Sequence, residues 1–202
     1  MYIKEKLSYT FSDLEPFIDT HTLGLHYHKH YQNYLNNLNK LLQKNNYDYR
    51  YSIVELTNHL REFNNKDIQD IKFNLGGVLN HNIYFKSMNS YVVPPQGLLL
   101  ERIINVFGSY ENFKNEFIKS ALSIKGSGYT FLCTDKDKNL LIINLPNQDS
   151  PYFYNLIPLF TVDMWEHAYY INYENKKDIY LENFFEIASF AYANNLYNNS
   201  WH

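Results

Sequence analysis

Asp163 and His167 stand four residues apart in the run Asp163-Met164-Trp165-Glu166-His167-Ala168-Tyr169-Tyr170. A carboxylate and an imidazole at that spacing can grip one metal ion if the backbone turns between them. Further ligands are available in two distant places. His26 opens His26-Tyr27-His28-Lys29-His30-Tyr31-Gln32-Asn33-Tyr34, and His81 sits in Leu79-Asn80-His81-Asn82. One carboxylate with three imidazoles is a borderline-hard donor set that suits manganese or iron better than thiolate-loving metals. Asp163 also ends an apolar stretch, where an unpaired carboxylate is costly to bury. A metal or an arginine would offset that cost. Arg50, Arg61 and Arg102 are all distant in sequence, which favours the metal.

The elements that must position these groups follow from periodicity. Leu23, Tyr27, His30, Tyr31, Tyr34, Leu35, Leu38 and Leu42 recur at helical spacing, predicting a long helix from about Thr20 to Lys44. On it His26, His30 and Tyr34 share one face, while His28 turns away and reads as solvated, with His21, His59 and His202. Ser52-Ile53-Val54-Glu55 is a capping-box pattern that opens a short helix. A further helix runs from about Lys66 to Met88 and carries His81. Its Gly76-Gly77 pair costs roughly 1 kcal/mol per glycine against alanine, which points to something packed close against the backbone. The two prolines of Tyr91-Val92-Val93-Pro94-Pro95-Gln96-Gly97 mark a linker. Two helices follow, near Leu98–Phe107 and Tyr110–Ser123. The period then turns strand-like at Tyr129–Thr134 and Leu140–Leu145, joined by a turn at Asp135-Lys136-Asp137-Lys138-Asn139. A third strand covers Ile157–Val162, and one helix from about Asp178 to Tyr197 closes the chain. The class is α+β.

The 202 residues suffice for one large domain or two small ones. A net charge of −3 predicts neither nucleic-acid binding nor an acidic tail. Cys133, the single cysteine, excludes an intrachain disulfide and fits a reducing compartment; in a strand it reads as an inert buried thiol. The N-terminus lacks the apolar core of a signal peptide, and no apolar run reaches membrane-spanning length. A cytoplasmic protein without a membrane partner is the expectation.

Over essentially its full length the chain resembles the iron/manganese superoxide dismutases. The resemblance rests on Asp163-x-Trp165-Glu166-His167-Ala168-Tyr169-Tyr170, on His26-x3-His30-x3-Tyr34, on Asn80-His81 and on Gly126-Ser127-Gly128, in matching order. It implies an N-terminal antiparallel helical hairpin domain over 1–92. An α/β domain with a three-stranded antiparallel sheet follows over 93–202. It further implies metal ligands His26, His81, Asp163 and His167 with one solvent molecule, and disproportionation of superoxide to dioxygen and hydrogen peroxide by a single redox-cycling ion. In such proteins a glutamine bonds that solvent, and it comes either from the helix four residues before the second histidine ligand or from the sheet. Here those places hold Gly77 and Gln148, a pairing that points to manganese and leaves iron, or use of either metal, open. His30 and Tyr34 correspond to a gate that relays protons. Tyr170 matches a residue that reaches His30 across a dimer interface, and Glu166 one that contacts the partner subunit's His167. A homodimer is therefore expected, with a tetramer left open.

The chain also departs from the family pattern. Tyr129 and Phe131 stand where tryptophans usually line the metal cavity, and Phe190 replaces another in the last helix. These changes keep an aromatic wall but remove indole donors and volume, predicting a looser or wetter pocket. Tyr31 stands where a second consecutive histidine is frequent. Glu174 occupies a usually basic position, which predicts weaker steering of an anionic substrate. The altered shell keeps a second reading alive, a non-catalytic homologue that retains the metal to tie its domains together. A non-haem iron oxygenase would need open coordination positions, against which the third histidine argues.

Overall fold

Asp19 starts the first long helix by accepting the Thr22 N–H at 2.7 Å, one of the orphan donors that every helix N-terminus must satisfy. In the computed structural model, which describes residues 1–199, α1 (Thr20–Leu25) passes through a π-helical turn (His26–Tyr31) into α2 (Gln32–Lys44). The expected helix is present, but the widened turn falls on the histidine segment itself. Such turns insert a residue into the helical ladder and re-aim side chains. His26 and Tyr31 are buried, His30 and Tyr34 half-buried, and His28 exposed.

The Ser52–Glu55 capping box forms as expected. Glu55 N–H donates to Ser52 Oγ at 3.2 Å and Ser52 N–H to the Glu55 carboxylate at 2.8 Å. The segment it opens, Glu55–Glu62, winds as a 3-10 helix. α3 (Ile68–Lys86) packs antiparallel against α2 and completes a helical hairpin. It is buried without interruption from Asn74 to Phe85, the polar Asn74, Asn80, His81 and Asn82 included. The Gly76-Gly77 pair does meet close neighbours. A Cβ on Gly76 would fall 1.9 Å from the Gln148 carbonyl oxygen, and one on Gly77 would fall 2.5 Å from the Tyr34 ring.

The second half opens with α4 (Gly97–Phe107) and α5 (Tyr110–Leu122). Strands β1 (Gly128–Thr134), β2 (Leu140–Pro146) and β3 (Ile157–Asp163) form an antiparallel sheet in the order β2-β1-β3. Every residue of β1 is buried. Asp135 sets the β1–β2 turn by accepting the Asp137 and Asn139 N–H groups, each at 2.9 Å. After Asp163 come a 3-10 turn (Glu166–Ala168) and the short helix α6 (Tyr170–Tyr173).

The single closing helix expected from Asp178 to Tyr197 is two helices, α7 (Lys177–Glu186) and α8 (Ala191–Asn199). The break is a tertiary effect. Asn89 N–H donates to the Ile187 carbonyl at 2.9 Å, Ser189 N–H to that of Ser87 at 2.9 Å, and Phe190 N–H to that of Val93 at 2.7 Å. Backbone pairing with Ser87, Asn89 and Val93 thus replaces helical bonds. Phe190 follows the break and stacks on Phe160 at 4.4 Å, in a core with Phe113 and Phe117. Cys133 is fully buried, and burial pushes its thiol well up. No helix among the described residues is long and apolar enough to cross a membrane.

Candidate metal centre

Four side chains from separate elements meet at one point. His26 comes from the π-helical turn, His81 from α3, Asp163 from the end of β3, and His167 from the 3-10 turn beyond it. One potential ligand atom from each lies within 4.8 Å of all the others. His26 Nε2 stands 3.2 Å from Asp163 Oδ2 and His167 Nε2 3.6 Å from it, yet neither contact has hydrogen-bond geometry. His26 Nε2, His81 Nε2, Asp163 Oδ2 and His167 Nε2 are all buried without a hydrogen-bond partner. Buried polar atoms are ordinarily satisfied, so donors that converge without bonding one another fit a shared cation.

Each candidate ligand is prepared for that task. His81 Nδ1 lies 2.6 Å from the Gly77 carbonyl. A carbonyl can only accept, so Nδ1 carries the proton and Nε2 turns a lone pair toward the cluster. Burial pushes the His81 imidazole well below its ordinary range and His26 down to about 4, leaving both neutral. Burial by itself would raise the Asp163 carboxyl, whereas a proton on the neighbouring His167 or His26 imidazole would lower it. Asp163 Oδ1 accepts the Trp165 N–H at 2.8 Å, which leaves Oδ2 to face the imidazoles. No arginine or lysine pairs with Asp163 among the described residues.

Around this cluster Tyr34, over Gly77, accepts a hydrogen bond from Gln148 Nε2 at 3.1 Å. Gln148 is buried, and the Asn80 amide donates to Asp149 O at 3.0 Å and contacts Gln148 Oε1 at 3.5 Å. His30 stacks on His167 with centroids 3.9 Å apart.

Residues 1–89 match the alpha-hairpin domain of the iron/manganese superoxide dismutases, and residues 95–196 match their C-terminal domain. The chain belongs to the iron/manganese superoxide dismutase family. A superoxide dismutase [Mn] of Buchnera aphidicola is 35% identical over 200 residues, covering 96% of this chain and 97% of that protein. A superoxide dismutase [Fe] of Bacteroides fragilis is 38% identical over 190 residues, covering 92% and 94%. A superoxide dismutase [Mn] 2 of Bacillus anthracis is 34% identical over 193 residues, covering 95% and 92%. The relatives name both metals.

Within this superoxide dismutase fold, the residues singled out from sequence fall into two groups. His26, His81, Asp163 and His167 converge, with His30, Tyr34 and Gln148 beside them. Glu166 and Tyr170 are exposed at the surface, Tyr170 at 50%. Of the histidines read as solvated, His21 and His28 are exposed. His59 is half-buried because it stacks on Tyr51, and His202 lies outside the described residues. Sequence reading passed over two supports. Tyr31 stacks parallel on His81 at 5.6 Å, with its hydroxyl bonded to Asn82. The Trp165 indole N–H donates to the Asn147 carbonyl at 3.0 Å and so ties the ligand turn to the Gln148 loop. The helical spacing of Tyr31 placed it in the core, but nothing local linked it to a residue fifty positions away.

Proposed function

We propose that this protein disproportionates superoxide at a manganese ion held by His26, His81, Asp163 and His167. The protein is a superoxide dismutase of the iron/manganese family, and its metal is one of those two. The convergence of four unbonded, buried donor atoms carries the assignment of the ligands. When bound, the metal supplies a one-electron couple, so that one superoxide is oxidised to dioxygen and a second is reduced to hydrogen peroxide.

The chain's own residues handle the protons that peroxide formation consumes. Gln148 Nε2 donates to the Tyr34 oxygen, so the Tyr34 proton is free to point into the site. His30 stands beside His167 at the half-buried edge and offers a second protonatable group. His81 is held by the Gly77 carbonyl, which fixes its tautomer throughout.

Gln148 and Gly77 support manganese over iron. The place where an iron-type glutamine would stand is occupied by the Tyr34 ring, while Gln148 reaches the site from the loop after β2. Exposed Glu166, Tyr170 and Ile171 cluster on one short segment beside the centre, which supports an isologous homodimer. An active monomer in sedimentation, unaffected in mass by Glu166→Ala, would count against it. We place the boundary of the two domains at residues 92/93, in the extended linker, and the protein in the cytoplasm.

Elemental analysis of the isolated protein, paired with reconstitution by manganese and iron separately, tests the reading. Superoxide removal is expected with manganese at one ion per chain. Activity with iron alone would overturn the metal assignment. Stoichiometric metal without superoxide removal would instead establish a non-catalytic homologue.

A further inference from the structure

Lys72, Gly76 and Asn80 recur at steps of four along α3 and so share one of its faces. That face receives the loop after β2, which carries Gln148. At Gly76 the missing side chain lets the Gln148 carbonyl come close. One turn onward, Asn80 Nδ2 donates to the Asp149 carbonyl at 3.0 Å. One turn back, Lys72 Nζ pairs with Asp149 Oδ1 at 3.1 Å. Asp149 Oδ2 accepts the Tyr154 O–H, so both carboxylate oxygens are engaged.

This loop needs holding. Asn147 has φ of +53°, a left-handed conformation that persists only where the surroundings enforce it. The next residue, Gln148, extends its amide to Tyr34. Trp165 and Asn80 grip the loop by its backbone carbonyls, at Asn147 and Asp149. Lys72 grips it by a side chain, at the rim of a cavity of about 220 Å³ that Phe73, Gln148 and Phe153 also line. There the Lys72 ammonium lies over the Phe153 ring at 4.8 Å. Partly exposed ion pairs add little to stability, so what this one contributes is position. The groups of a working site have to be held to within about 0.5 Å.

We infer that Lys72 and Asp149 are positioning residues of this centre: their ion pair clamps the loop to α3 and sets how far the Gln148 amide reaches toward Tyr34. Both act through Gln148, so the inference rests on the reading of that residue given above.

The visible spectrum of the oxidised, manganese-loaded full-length protein is the deciding readout, because loss of a surface ion pair does not by itself move it. Asp149→Ala should shift it in the same direction as Gln148→Leu and lower superoxide removal about tenfold, with one metal per chain retained. Lys72→Met should shift it less, with Tm lowered by no more than about 4 °C. Lys72→Arg keeps the charge and should leave the spectrum at its wild-type position. In an Asp149→Ala background Lys72→Met should add nothing, since its partner is already gone. Additive shifts, or an arginine that moves the spectrum as far as methionine does, overturn the clamp. A spectrum moved by Gln148→Leu but not by Asp149→Ala also overturns it and leaves the reading of Gln148 standing. Where Asp149→Ala does not fold, the two Lys72 variants decide, and a spectrum unmoved by methionine overturns the clamp. A spectrum that Gln148→Leu leaves unmoved brings down the reading of Gln148 itself, and this inference with it.

Discussion

Two histidine clusters in this molecule have opposite character. At the surface of the helical hairpin, His59 bonds Glu62 at 2.8 Å and stacks on Tyr51 at 3.7 Å, and Arg50 lies over the Tyr51 ring and pairs with Glu62. Donors and acceptors there close on one another. In the interior, His26, His81 and His167 share equally aromatic surroundings, yet each leaves an Nε2 buried and unbonded beside Asp163 Oδ2. Residue type and aromatic company are common to both. What separates a structural cluster from a metal centre is whether the polar atoms satisfy each other or converge on a shared point.

The sharpest way to break that comparison is at Asp163, the only anionic member of the interior set. Asp163→Ala is expected to lower bound metal to background and superoxide removal by about 100-fold or more, measured by elemental analysis and a superoxide-removal assay. In the wild-type protein a strong chelator should lower Tm by about 10 °C. In the variant it should change nothing, and an equal shift there would mean that the metal binds elsewhere.

Next in size is Gly76→Ala. The added methyl gains helix propensity of about 1 kcal/mol, but its Cβ would stand 1.9 Å from the Gln148 carbonyl oxygen. Overpacking of this kind costs about 1–3 kcal/mol. The net expectation is a lowered Tm, with activity reduced because the Gln148 loop is displaced. A raised Tm would show that the loop yields freely.

Glu174→Lys tests whether charge outside the centre affects the encounter with an anion. Glu174 already has φ of +52°, a strained conformation for either residue, so the exchange alters charge and leaves the backbone cost as it was. A higher rate at low salt, fading as ionic strength rises, is expected. A rate indifferent to both would refute steering through this position.

His59→Ala should have the smallest effect. It removes a partly exposed pair and a ring stack, so Tm should fall by no more than about 4 °C, with metal content and superoxide removal unchanged. Lost metal in this variant would erase the distinction between the two clusters.

Most of the elements were legible in the sequence because they depend on near neighbours. The capping box at Ser52–Glu55, the hairpin turn set by Asp135 and the pairing of β1 with β2 all formed where local chemistry placed them. The last helix was misread because its break at Ile187–Phe190 is imposed by backbone bonds from Ser87, Asn89 and Val93, about a hundred positions earlier. The π-helical turn is likewise invisible to a 3.6-residue period, yet it falls on His26 and His30.

The sequence by itself determined which donor atoms are available, in what order, and to which family they belong. Those facts are carried by residue identity and short spacing. Only the tertiary structure decided that His26, His81, Asp163 and His167 meet without bonding one another, that Tyr34 fills the space over Gly77, and that Gln148 reaches the Tyr34 hydroxyl. Each of these joins residues far apart in the chain, and only packing within the helical hairpin and of the hairpin against the sheet fixes such distances.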